Sequence, residues 1–336
     1  MKRPRNRFLD YLVYLAVRVV VFTCQMLPIR VCYLLADGLA AIVYRVDKRH
    51  REVAQENLQH AYGAAWTDAQ RDQAVRAVYR HFCRMVMEML HIPRTLHLET
   101  WRKKVVLKGH EPVLDRLLDG GPVILITGHF GNWEMAGYLF GLYGFASSTV
   151  YRPLDNPYLD QFIKDFRGAT GQKLIPKKGG SEQMVDVLES GGILSALADQ
   201  DAGPKGLFVN YFGRPASTFK ALALMAIQYQ APIVVGGARR IGPGFRYEVI
   251  CETLIDPSEW ADQPDEVRWI TQRYTQSLEN MVRRSPEQYL WLHRRWKHQP
   301  QPRGKAAKLR ASQAETCPGP TVPGPATLTQ DPVPHA

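Results

Sequence analysis

Beyond Trp101 the chain alternates short apolar runs with helix-length segments, and this alternation restricts the fold more than any other feature. Residues 105–107, 123–126, 148–151 and 193–198 read as strands. Helical patterns at 111–118, 133–142, 158–167, 182–188 and 219–228 lie between or after them. Strands alternating with helices predict an α/β fold with a mostly parallel central sheet flanked by helices. Two more strands, 233–238 and 247–250, can pair as an antiparallel edge. A helix over 266–284 closes the series, ended by Ser285-Pro286.

The N-terminal part differs. An apolar run over 8–26 is interrupted by Asp10 and Arg18, and a second over 31–46 by Asp37, with Pro28 between them. A membrane span needs about 20 apolar residues, so either run is a span or an interfacial helix, or both pack in a core. Basic residues bracket the pair: Lys2, Arg3, Arg5 and Arg7 before it, Lys48, Arg49 and Arg51 after it. That bias suits a hairpin with both ends on the cytoplasmic side. Amphipathic helices follow over 47–62 and 67–90, the second stopped by Pro93. From 299 to 336 the composition shifts: eight of the 23 prolines lie there without apolar periodicity, as in a disordered tail. The predicted organisation is a membrane-anchoring helical segment at 1–95, an α/β domain at 96–298 and a Pro-rich tail at 299–336.

In open α/β sheets the chemistry gathers at the carboxyl ends of the strands. The run over 123–126 ends in Thr127-Gly128-His129-Phe130-Gly131-Asn132-Trp133-Glu134. With a helix starting near Asn132, Glu134 falls in its first turn and can fold back on the His129 loop. A carboxylate on one imidazole nitrogen leaves the other free as a general base. Other strand ends supply Tyr151-Arg152-Pro153, Asp199-Gln200-Asp201 and Gly213-Arg214-Pro215-Ala216-Ser217-Thr218, the last read as a helix entry with Ser217 or Thr218 as cap. Convergent, they make a pocket with one base, two cationic anchors and further carboxylates. Separately, each is an ordinary cap or surface charge.

The net charge of +11 points to a polyanionic partner. Interleaved aromatics and cations over 288–297 suit a bilayer interface or a phosphate-bearing partner. No nucleic-acid motif accompanies the charge, so nucleic acid is not expected. Five scattered cysteines without C-x-x-C argue against a disulfide framework or a zinc site. The absence of H-E-x-x-H, G-x-S-x-G, Walker A and G-x-G-x-x-G motifs weighs against metalloprotease, serine hydrolase, P-loop and dinucleotide chemistry.

Gly128-His129-Phe130-Gly131-Asn132-Trp133-Glu134 resembles the histidine-x4-acid box of the lysophospholipid acyltransferase superfamily, in the form found in the lipid A secondary acyltransferases. Tyr151-Arg152-Pro153, Asp199-Gln200-Asp201, Phe212-Gly213-Arg214-Pro215-Ala216 and the 288–297 stretch are similar to further boxes of that branch, in order over residues 8–298. The resemblance implies an enzyme of the bacterial inner membrane with a cytoplasmic active site. It would move a fatty acyl chain from acyl carrier protein, or from CoA, to a hydroxyl of a phosphorylated glycolipid. No cofactor is implied beyond the acyl thioester co-substrate. His129 would be the base and Glu134 its orienting partner, with no acyl-enzyme. Asn132, Arg152, Asp199, Gln200, Arg214 and Thr218 would bind substrate; Arg152 and Arg214 are the candidates for acceptor phosphates. The oxyanion donor stays open between Arg152 and a backbone N–H near Gly131 and Asn132. Acyl carrier protein and anionic inner-membrane lipids would be the partners of the basic surface. A phosphatidylinositol mannoside-type acyltransferase is the nearest alternative. A glycerol-phosphate acyltransferase and a non-catalytic membrane scaffold are further ones.

Overall fold

The computed structural model describes residues 5–300. The predicted tail beyond Pro300, Cys317 in it, and the basic residues Lys2 and Arg3 lie outside the described residues.

Four helices come first: α1 (Arg7–Met26), α2 (Ile29–Val46), α3 (Lys48–Tyr62) and α4 (Asp68–Thr95). Asn6 caps α1, and Pro28, which cannot continue a helix, separates α1 from α2. Among the described residues, α1 alone is long and apolar enough to cross a membrane, with mean hydropathy 1.5. Both helices leave an apolar face uncovered, Phe8, Val19 and Phe22 on α1 and Leu34, Ile42 and Val46 on α2. The opposite face of α2, with Cys32, Tyr33, Ala36 and Ala40, is buried. Thr67 and Gln70 form a capping box at the start of α4. Pro93 does not stop α4 as expected; the helix runs to Thr95, because a proline in the last turn costs only one bond of the ladder.

The sheet follows as predicted, with additions. In chain order come β1 (Val105–Lys108), α5 (Glu111–Leu118), β2 (Val123–Thr127), α6 (Trp133–Leu142), β3 (Ser147–Tyr151), α7 (Pro157–Gly168), β4 (Lys173–Pro176), α8 (Ser181–Glu189) and β5 (Ile193–Leu197). Then come β6 (Leu207–Tyr211), β7 (Arg214–Thr218), α9 (Ala221–Tyr229), β8 (Ile233–Arg240), β9 (Tyr247–Ile255), α10 (Pro257–Trp260) and α11 (Glu266–Arg284). The seven-stranded sheet has the order β1-β9-β8-β2-β5-β3-β4. Strands β8, β2, β5, β3 and β4 are mutually parallel. β9 turns back antiparallel to β8, and β1 pairs parallel to β9 on the outer edge. The antiparallel pair therefore lies inside the sheet, not at its border.

The stretch 214–218 is not a helix entry. It is strand β7, paired antiparallel with β6 in a separate two-stranded ribbon. The tight reversal at Phe212-Gly213, both at positive φ, makes a hairpin of sequence that reads as a polar cap. The 288–297 stretch is mostly interior: Gln288, Tyr289, Trp291, Arg295 and Trp296 are buried. Asn57 on α3 donates to the carbonyls of Trp291 (2.6 Å) and His293 (2.7 Å), tying this segment to the N-terminal helices. These aromatics pack the core instead of facing a bilayer.

Candidate active site

Register places the central pair. β2 and β5 are neighbouring parallel strands with Thr127 opposite Leu197. Two residues past that pair stand His129 and Asp199, both at the carboxyl edge. His129 Nδ1 lies 2.8 Å from Asp199 Oδ1, and the His129 main-chain N–H donates to Asp199 Oδ2 at 2.7 Å. Gly128 eases this approach, since a Cβ there would stand 3.1 Å from Asp199 Oδ2. Asp199 is 4% exposed. An ionised carboxylate in that position accepts the hydrogen bond of Nδ1–H, which keeps the proton on Nδ1 and leaves the His129 Nε2 lone pair facing the cavity. Burial opposes a charge on His129, but the Asp199 charge and hydrogen bond, with Glu134 adding to them, raise its pKa above the ordinary histidine value. Burial likewise opposes the Asp199 charge, and His129 holds its pKa below the usual aspartate value.

The partner on the imidazole is thus Asp199, where the sequence pointed to Glu134. Glu134 sits in the first turn of α6 as expected, but its carboxylate is turned to other donors. Arg167 Nε donates to its Oε2 at 2.8 Å, Arg167 Nη2 donates to Oε1, and Trp133 Nε1 donates to Oε1 at 3.0 Å. The α6 geometry explains the difference: a first-turn side chain at the helix N-terminus meets α7, where a basic residue in the last turn awaits it.

A cavity of about 1020 Å³ opens beside His129. Its walls are mostly apolar, with Leu114, Leu118, Val249 and Phe140 of α6 among them. Its polar lining includes Arg152, Lys177, Glu134, Arg167 and Gln200. Gln200 Nε2 stands 3.5 Å from His129 Nε2. Arg152 is exposed at the end of β3. Lys177, whose main-chain N–H donates to the Tyr151 carbonyl, lies with its ammonium 4.6 Å from the Phe219 ring centre.

Of the expected substrate contacts, Arg152 and Gln200 line this cavity. Asp199 stands behind His129 and not against an arginine. Asn132, Arg214 and Thr218 do not line the cavity. Asn132 is fully buried, capping α6 through the Met135 N–H and donating to Glu88 Oε2 at 3.3 Å. Thr218, also fully buried, accepts from Arg295 Nη2 at 2.7 Å. Arg214 lies on the ribbon near His60, whose pKa it and burial both lower. The reassigned hairpin is the cause: β7 carries Arg214 and Thr218 away from the strand ends of the main sheet. Arg167 and Lys177 were not singled out from the sequence, because each reads as a basic residue on a solvated helix end or loop.

The loop itself is fixed from behind. Gly131 N donates to Gln288 O at 2.9 Å and Asn132 N to Ala238 O at 2.8 Å. His81 on α4 bonds the Gly131 carbonyl through Nε2 at 3.0 Å, and Arg240 Nη1 lies 3.0 Å from His81 Nδ1. Arg240 in turn forms a two-point pair with Glu88, at 2.8 Å for each bond. Since Arg240 can only donate, His81 Nδ1 accepts and Nε2 carries the proton. Glu88, with zero exposure, also accepts from the Tyr33, Tyr247 and Asn132 side chains.

An oriented imidazole at a sheet edge thus opens onto a largely apolar cavity flanked by cations. A family model of bacterial lipid A biosynthesis acyltransferases matches residues 2–298, and the chain belongs to that family. It is 25% identical over 298 residues to the lipid A biosynthesis lauroyltransferase of Escherichia coli K12, covering 87% of this chain and 93% of the relative. A lipid A biosynthesis acyltransferase of Haemophilus influenzae is 24% identical over 79% of this chain and 81% of its own length. A phosphatidylinositol mannoside acyltransferase of Mycobacterium tuberculosis is 25% identical over 53% of this chain and 58% of its own.

Proposed function

We propose that this acyltransferase moves a fatty acyl chain from a thioester, carried by acyl carrier protein or CoA, to a hydroxyl of a lipid A precursor at the inner membrane. The observation that carries the reading is the His129–Asp199 pair facing a largely apolar cavity of about 1020 Å³, room enough for an acyl chain. His129 Nε2 takes the proton of the acceptor hydroxyl as that oxygen attacks the thioester carbonyl. Asp199 keeps Nδ1 protonated and balances the imidazolium that forms. No side-chain nucleophile is needed, because the acceptor attacks directly. Glu134 adds negative potential near the imidazole while its pair with Arg167 braces the cavity wall. Arg152 and Lys177 at the cavity suit phosphates on the acceptor. The uncovered apolar faces of α1 and α2 would seat the enzyme in the bilayer, with the cytoplasmic side facing an acidic carrier protein.

A mannoside-type acceptor is the second reading, supported by the mycobacterial relatives. They cover 53% of this chain, against 87% for the Escherichia coli lauroyltransferase, which favours lipid A. The test is purified protein with acyl carrier protein or CoA loaded with chains of several lengths, a lipid A precursor or a phosphatidylinositol mannoside, and mass spectrometry of the products. Acylated lipid A precursor is expected. Acylation of the mannoside alone would move the assignment to the second reading, and no ester product from any pair would refute acyl transfer to either glycolipid.

A further inference from the structure

Attack on a thioester puts negative charge on the carbonyl oxygen, and a donor must stand where that charge forms. Three main-chain N–H groups of the His129 loop are already committed. His129 N is bound to Asp199 Oδ2, Gly131 N to Gln288 O and Asn132 N to Ala238 O. The Arg167 guanidinium is paired with Glu134, as is the Trp133 indole N–H. Arg152, the other candidate at the cavity, is exposed at the end of β3, whereas Gln200 stands at the base itself. Its Nε2 lies 3.5 Å from His129 Nε2, a contact too long for a full hydrogen bond, and its side chain lines the cavity. With Nδ1–H given to Asp199, His129 Nε2 holds a lone pair, so the amide N–H is the donor in this contact.

We propose that Gln200 is a catalytic residue that supplies the oxyanion donor; this rests on the acyl-transfer reading above. In the free enzyme its amide covers the lone pair of the base. The incoming acceptor hydroxyl displaces it, and the N–H turns to the thioester carbonyl oxygen. The hydroxyl oxygen bonds to the carbonyl carbon, its proton passes to His129 Nε2, and the C=O pair moves onto the oxygen held by Gln200. On collapse the C=O bond re-forms and the C–S bond breaks. The sulfur leaves with that bond's electron pair and takes the proton back from His129, giving ester and thiol. The attacking oxygen and the charged oxygen share one carbon, so their donor must sit near the base nitrogen, as Gln200 does.

The test compares Gln200→Ala, Gln200→Glu and Gln200→His under steady-state turnover with one donor and one acceptor. Gln200→Ala is expected to lower kcat by about 10²- to 10³-fold, with KM for both substrates nearly unchanged and the same thermal midpoint as wild type. Gln200→Glu, similar in shape but without the N–H, falls at least as far. Gln200→His, which restores a ring donor, recovers part of the rate. A wild-type kcat in Gln200→Ala would overturn the proposal. A loss confined to KM would overturn it too, making Gln200 an acceptor contact. If Gln200→Ala unfolds, the Glu and His variants decide, and equal rates in those two overturn the proposal. Wild-type protein that transfers nothing is a separate outcome, which refutes the acyl-transfer reading itself.

Discussion

His129 Nδ1 and Asp199 Oδ1 meet at 2.8 Å across two neighbouring parallel strands, from positions 70 residues apart in the chain. The bond fixes the imidazole tautomer and raises its proton affinity at once. Asp199→Asn keeps the size and removes the charge, so kcat is expected to fall by roughly 10²- to 10⁴-fold. The pH profile separates this from simple damage. His129 works as a base only when neutral, and its raised pKa puts the acid limb above the ordinary value of about 6.5. In Asp199→Asn, burial is opposed only by Glu134, so the acid limb moves to lower pH even as the maximum drops. A limb that stays in place in kcat/KM against pH would refute the pairing.

Glu134 and Arg167 form a buried ion pair, with Glu134 8% exposed and the Arg167 side chain 19%. Removing one partner strands a charge, a loss of about 3–5 kcal/mol for fully buried pairs and less where water reaches the arginine. Arg167→Met is therefore expected to destabilise more than Glu134→Gln, which leaves a neutral amide on the Trp133 indole. Chemical unfolding of both variants checks the order. Glu134→Gln should also shift the acid limb of the rate profile downward, by less than Asp199→Asn does.

Gly131 has φ of +59°, and a Cβ there would lie 1.8 Å from the Ala238 carbonyl oxygen. No side chain can be added without lifting the loop off β8 and breaking the Asn132 N–H bond to that same carbonyl. Gly131→Ala should lose nearly all transfer activity. Gly144→Ala, also at positive φ but with open space around it, is the matched control and should lose only about 1–2 kcal/mol of stability. Comparable activity in the two variants would count against the loop being held this way.

Strand and helix order was readable because parallel-sheet strands are continuous apolar runs and the flanking helices carry their own caps. Helices α6 and α11 fall where the periodicity puts them. Strand adjacency was not readable: nothing local says that β5 lies beside β2, so Asp199 looked like a substrate contact and the nearer Glu134 looked like the partner of His129. The four-residue strand β4 and the ribbon β6–β7 escaped for another reason. Arg214-Pro215-Ala216-Ser217-Thr218 has the composition of a helix entry, and only its pairing with 207–211 makes it a strand. That one reversal removed Arg214 and Thr218 from the candidate site. Asn132 was lost differently, because its cap and its bond to Glu88 are satisfied on the buried side of the loop.

His81 gives a pH test of how the catalytic loop is supported. It is 3% exposed, and burial together with the Arg240 charge lowers its pKa to about 3. In the unfolded chain an ordinary histidine titrates near 6.5. Between those values the unfolded state binds the extra proton, so native stability is intact above about pH 6.5 and is lost as pH falls toward 3. From pH 7 to pH 5 this single group should cost about 2 kcal/mol. His81→Gln keeps an amide donor for the Gly131 carbonyl and cannot titrate. Its unfolding free energy should therefore fall less than wild type between those pH values, by about that amount. Identical pH slopes for the two proteins would mean that His81 is not held neutral between Gly131 and Arg240. A neutral His81 also predicts that transfer by His81→Gln at pH 7 stays closer to wild type than transfer by His81→Ala, in which the Gly131 carbonyl loses its donor.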